Sequence, residues 1–145
     1  MQGLNHVVFG SLIGLTIKEP ALAVPLALGS HFALDMIPHY GEHYRTKHGT
    51  KLFYVRAVAD IIASFGFGFW VLSLHPPNPG LIVACMLLAV LPDLLWPVAL
   101  YIKQSGPAWE FFKFHKLIQR ESPWGIYIEI IWFLLSFGLV YHLAV

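Results

Sequence analysis

One cysteine in 145 residues, and only 12% charged residues, are what this sequence most conspicuously has little of. The lone Cys85 excludes an intramolecular disulfide and any cysteine-built zinc site; set in an apolar run, it reads as a small packing residue. Soluble domains carry roughly twice this share of charge. A formal net charge of +1 gives no electrostatic case for nucleic acid as a partner. No stretch sustains period-two alternation, which excludes a membrane β-barrel. No Lys or Arg precedes the apolar residues 4–17 and no small-residue cleavage site follows, so this stretch reads as part of the mature fold rather than a signal peptide.

What is abundant is apolar surface: 57% of residues are hydrophobic and mean hydropathy is +0.66. The expectation is an all-α integral membrane protein, a single polytopic helical bundle over residues 1–145. Residues 21–37, 52–74, 81–102 and 124–145 approach or exceed the ~20 residues of a helical span. Residues 4–17 suit a short span or a re-entrant helix, giving about five hydrophobic helices. Residues 108–120 mix Trp109, Phe111, Phe112, Phe114, Leu117 and Ile118 with basic residues, the pattern of a short amphipathic helix lying on the membrane. Lys18-Glu19-Pro20 and the turn from His75 to Gly80 punctuate the bundle.

Basic residues set the sidedness. Arg45, Lys47 and Lys51 lie in one connection; Lys103, Lys113, Lys116 and Arg120 lie in another, two helices later. Both therefore fall on one side, and the positive-inside rule makes it the cytoplasmic face of a cell inner membrane. On this topology Asp35, Asp60, Asp93 and Glu129 all fall within roughly 5–15 Å of the cytoplasmic boundary, at 1.5 Å rise per residue. The chain's only three aspartates are among them. Acids gathered from four helices at one depth predict a shared site, and Pro92 and Pro97 flank it with freed backbone carbonyls.

The segment Ser30-His31-Phe32-Ala33-Leu34-Asp35, followed by Pro38-His39, carries the strongest chemistry. Four-residue spacing puts His31 and Asp35 on one helix face, and His39 at the helix exit. Such groups cost several kcal/mol in hydrocarbon unless paired or ligated. Imidazole and carboxylate are common ligands of zinc and related divalent cations. The expected ligand set is His31 and Asp35 with some of His6, His39, Asp60, Asp93 and His115, for one or two ions, zinc first and manganese second. Asp60 or Glu129 is the candidate catalytic base. The blander account is a buried His–Asp hydrogen bond, with Arg56 pairing Asp60 one turn away. His43 and His48 read as loop residues, and His75 and His142 fall on the opposite side.

These residues resemble a family. The Ser-His-x-x-x-Asp element is similar to that of LexA-regulated, membrane-bound metal-dependent hydrolases, and more distantly to the His-x-x-x-Asp element of zinc-dependent phospholipases C and single-strand-specific nucleases. His6 in an apolar N-terminal segment and Leu91-Pro92-Asp93 extend the similarity. The chain departs from it where Leu94 and Leu95 follow Asp93, and where Gln119 stands four residues after His115. The resemblance implies a helical site with His31, Asp35, His6 and Asp93 as metal ligands, hydrolysing phosphoester bonds, in a phospholipid or phosphorylated lipid. Two other classes stay open: a proton- or ion-translocating protein, and a non-catalytic membrane adaptor locked by its polar groups.

Overall fold

The computed structural model describes residues 1–40, 51–95 and 105–145. Arg45, Lys47, Lys103, His43, His48 and Pro97 lie outside the described residues, as does the expected helical stretch 96–102. Six helices follow one another among the described residues: α1 (Gly3–Thr16), α2 (Pro20–Asp35), α3 (Lys51–Ser73), α4 (Pro79–Leu94), α5 (Pro107–Ile118) and α6 (Gly125–Ala144). Among the described residues the fold is all-helical, and the one β-type pairing there is an isolated parallel bridge, His39 to Glu121.

Proline sets three of the helix starts. Pro20, Pro79 and Pro107 occupy the first turns of α2, α4 and α5, where a missing N–H costs nothing and the fixed φ suits a helix. Asn78 caps α4, its side chain accepting from the Leu81 N–H at 3.3 Å. Pro38 follows the end of α2, consistent with the stop expected there.

Helix α1 is the centre of the bundle. It packs against α2, α3, α4 and α6. One apolar cluster joins its Val7 and Val8 to Phe67 and Val71 of α3, Ile82 and Met86 of α4 and Val140 of α6. A second joins Ile13 to Ala23 and Ala27 of α2 and Leu81 and Cys85 of α4. A helix surrounded on several sides needs apolar residues on several sides, which is why residues 4–17 are mostly apolar, with Asn5, His6 and Ser11 the buried polar exceptions. Its approach to α4 depends on glycine: a Cβ at Gly10 would stand 2.6 Å from the Cys85 carbonyl oxygen, and one at Gly14 would stand 2.7 Å from Ile82 Cα. Gly66 in α3, by contrast, faces nothing within 4 Å.

Two helices, α3 and α6, are long and apolar enough to cross a membrane. With 14 residues in α1 and 16 each in α2 and α4, the remaining apolar helices are about 21–24 Å long at 1.5 Å per residue, against a hydrocarbon core of roughly 30 Å. The outer faces of α3 and α6 are strongly apolar: Ile62, Phe65 and Phe69 on one, and Ile131, Leu134 and Leu135 on the other, are exposed.

Candidate metal centre

Four helices bring ionisable side chains to one end of the bundle. His6 comes from the first turns of α1, His31 and Asp35 from the last turns of α2, Asp93 from the end of α4, and His115 from α5. His6, His31, Asp35 and His115 are almost completely buried, while the Asp93 side chain is 29% exposed. One ligand atom from each of His31, Asp35, Asp93 and His115 lies within 4.8 Å of all the others, so this group could hold a metal ion.

The distances fit a small cation. His31 Nε2 is 2.9 Å from His115 Nε2, 3.3 Å from Asp35 Oδ2 and 3.8 Å from Asp93 Oδ1. His115 Nε2 is 2.9 Å from Asp35 Oδ2 and 3.9 Å from Asp93 Oδ1. Tetrahedral ligands at zinc distances of 2.0–2.2 Å stand about 3.3–3.6 Å from one another, inside this spread. The proton inventory points the same way. His31 Nδ1 sits 2.8 Å from the Ala89 carbonyl oxygen, which can only accept, so Nδ1 donates and Nε2 of the neutral ring presents a lone pair to the cluster. A backbone carbonyl that fixes the outward nitrogen of an imidazole is a common second contact of metal-bound histidine. Pro92, in the same helix, lacks the N–H that would otherwise pair with the Leu88 carbonyl, beside Ala89.

His6 stacks on His31, with ring centroids 4.1 Å apart and planes at 26°. Its Nε2 is 3.3 Å from Asp35 Oδ1 and 3.7 Å from Asp93 Oδ2, yet neither ring nitrogen makes a hydrogen bond. A fully buried imidazole in that state fits a ligand better than a packing residue. The Met1 amino group also contacts Asp35 Oδ1.

The other candidates take different positions. Asp60 accepts from the backbone N–H groups of Gly3 at 2.9 Å and Leu4 at 3.1 Å. Glu129 accepts from the Gln2 N–H at 3.1 Å. Two acids from α3 and α6 thus satisfy the open N–H groups at the start of α1, in the manner of helix caps supplied from other helices. His39 is buried but outside the four-residue group; its Nδ1 donates to the Ile37 carbonyl at 2.9 Å. Burial, and secondarily the Met1 ammonium, push the His39 imidazole below its ordinary pKa. His75 and His142 are exposed and near the far ends of α3 and α6, away from the cluster.

Backbone contacts invisible in the sequence brace the site. The Arg120 N–H donates to the Asp35 carbonyl at 3.0 Å, the His39 N–H to the Arg120 carbonyl at 3.0 Å, and the Ser122 N–H to the His39 carbonyl at 2.8 Å. This ladder ties the exit of α2 to the exit of α5, the two helices that supply His31, Asp35 and His115. Gly125 permits it, because a Cβ there would collide with the backbone of His39 and Tyr40. Comparison with family models, with curated proteins and with solved structures gives no match for this chain.

Proposed function

We propose that the protein is a multi-pass membrane hydrolase that uses a divalent cation, zinc first, to cleave phosphoester bonds of a phospholipid or phosphorylated lipid. The observation that carries the metal reading is the convergence of two imidazole nitrogens and two carboxylate oxygens in a largely buried cluster, with the Ala89 carbonyl beside His31 Nδ1 favouring the tautomer that aims a lone pair inward. The hydrolytic and lipid parts rest on the resemblance of His31 and Asp35 with their neighbours, and on the position of the cluster at one end of an apolar bundle. A cation bound there would lower the pKa of a coordinated water and neutralise charge on the reacting phosphoryl group.

The protein's own groups divide the remaining work. The Ala89 carbonyl orients His31. Asp60 and Glu129, the candidate bases, act here as positioning residues: they hold the start of α1 and so set where His6 stands. Asp93, the most exposed of the group, marks the side from which a substrate enters. Lys113, Lys116 and Arg120 are exposed on or beside α5, where they suit anionic headgroups and the cytoplasmic side of an inner membrane.

The test is metal content by mass spectrometry of detergent-purified protein and of Asp35→Ala, followed by phosphoester release from phospholipid vesicles. We expect bound zinc or manganese in the wild type, its loss in the variant, and turnover that follows the metal. Metal retained in Asp35→Ala would overturn the site.

A second reading has one observation in its favour. Because Asp60 and Glu129 serve α1 directly, the histidines and remaining aspartates could also be helix-locking groups of an adaptor. That reading requires thermal stability indifferent to chelation. A proton or ion path would instead show as flux in proteoliposomes.

A further inference from the structure

Helix α5 has two apolar faces. The inner one carries Phe112 and His115, both buried, with His115 Nε2 2.9 Å from Asp35 Oδ2. The rings of Phe111, Phe114 and His115 stand 6.2, 5.9 and 6.0 Å from that of Phe32 in α2. The outer face carries Leu117, 83% exposed, and Phe114, 51% exposed, three residues apart and so side by side. Lys113 lies one turn before Leu117 on that face and Lys116 flanks it, both exposed. Over residues 107–120, Lys113, Lys116 and Arg120 stand against one acid, Glu110. Glu110 is already held by Lys113 at 2.7 Å, so Lys116 and Arg120 supply the positive excess. Glu121, the next acid, is half-buried and pairs through its backbone with His39. Five residues beyond the end of α5, Trp124 and Tyr127 are exposed with stacked rings 6.0 Å apart, where α6 begins. An exposed Trp–Tyr pair at the start of a helix of spanning length is the usual composition of a membrane–water boundary.

We infer that the outer face of α5 docks on an anionic lipid surface, with Phe114 and Leu117 among acyl chains and Lys116 and Arg120 on headgroup phosphates, and that this seating holds His115 in the cluster. This rests on the membrane and metal reading above and gives that site its regulation. Apolar side chains flanked by cations are the composition of a helix that lies in the interface, where lysine stems cover hydrocarbon and their ammonium groups reach the headgroups. Charge selects the partner. A neutral bilayer satisfies Leu117 and Phe114 but leaves the excess of Lys116 and Arg120 unanswered, and a second copy of α5 brings the same excess and repels it. The link to the site is mechanical: α5 is a single helix of 12 residues, so fixing its outer face fixes His115 on its inner one. The Arg120 N–H to Asp35 carbonyl bond ties the end of α5 to α2 but leaves the earlier turns to side-chain packing. Whatever favours the docked helix therefore favours the bound cation, and the reverse.

A polarity-sensitive fluorophore on Leu117→Cys, in full-length protein with Cys85→Ala so that one thiol remains, reads the docking in nanodiscs of phosphatidylcholine or phosphatidylglycerol. We expect a blue shift and loss of access to an aqueous quencher in phosphatidylglycerol, and a probe that stays in water in phosphatidylcholine. High salt, or Lys116→Gln with Arg120→Gln, should abolish the difference. Zinc retention against a competing chelator reads the link. It should be about fivefold to twenty-five-fold tighter in phosphatidylglycerol, the worth of one to two basic residues at an anionic surface. The paired Gln variant should lose that gain, which separates it from zinc gathered by the lipid itself. Equal exposure of the probe in both lipids would overturn the docking. Docking with unchanged zinc retention would overturn the link to His115. A probe already shielded in detergent, increasingly so at higher protein concentration, would give the face to a second copy and overturn the lipid assignment. No zinc in any preparation would overturn the metal reading and the link with it, while the probe still decides the docking.

Discussion

Asp60 is a carboxylate in the middle of an apolar helix, with its oxygens occupied by two backbone N–H groups of α1. Removing both acceptors in Asp60→Ala should lower stability by about 1–2 kcal/mol, the range of a lost helix cap, read as a drop in thermal midpoint. Asp60→Asn keeps an acceptor oxygen and should retain most of the stability and the bound metal. If Asp60 were instead the catalytic base, Asn would abolish turnover while leaving metal content and melting unchanged. At this scale the sequence is unevenly legible. His31 and Asp35 are visible because four-residue spacing on a helix is a local fact. The Ala89 carbonyl that orients His31 has no signature, because every residue carries a carbonyl and only tertiary packing selects one. Asp60 and Glu129 are visible as misplaced acids, but nothing local says that their partner is the backbone of α1 rather than a metal or a substrate proton.

Among elements, α1 governs the site, and glycine governs α1. Gly10 and Gly14 let it press onto α4, and that contact sets His6 against His31 and the aspartates. Gly10→Ala would drive a methyl into the Cys85 carbonyl, and we expect a loss of about 1–3 kcal/mol, as for an overpacked core, together with weakened metal binding. Gly66→Ala, facing open space in α3, should be neutral or stabilising by up to about 1 kcal/mol, the ordinary helix preference for alanine. Thermal melts of the two variants side by side separate close approach from propensity; equal effects would remove α1–α4 contact as the reason for Gly10. In the long helix α3, Gly66 faces open space and a Cβ at Gly68 would make only ordinary contact with Met86 Sδ, at 3.5 Å. Gly10 and Gly14 lie four residues apart, on one helix face, in a segment that reads only as a short span or a re-entrant helix. The amphipathic character of 108–120 is plain from its pattern, and α5 does bury Phe112 and His115 while exposing Lys113, Lys116 and Leu117.

For the whole molecule, hydropathy marks where the helices are but not how many cross. Five hydrophobic segments are legible; among the described residues the structure gives two helices of spanning length and packs the shorter α1 against both. Asp60 lies nine residues into α3, so α1 begins about 14 Å down that helix at 1.5 Å per residue, and the cluster is recessed within the bundle rather than perched on it. The cluster draws on α1, α2, α4 and α5 together, so a cation bound there cross-links most of the bundle. Because the unfolded chain cannot assemble this group, metal binding must stabilise the native state by mass action, about 2.7 kcal/mol at a free concentration one hundred times the dissociation constant. Chelation should therefore lower the thermal midpoint of the wild type in detergent, and zinc should restore it in a concentration-dependent way. Asp35→Ala should melt at the lower temperature in both conditions, because its four-helix junction has lost the ligand that faces both His6 and His115. A midpoint indifferent to chelator and to added zinc would show that hydrogen bonds alone hold the junction, which is the behaviour of the adaptor.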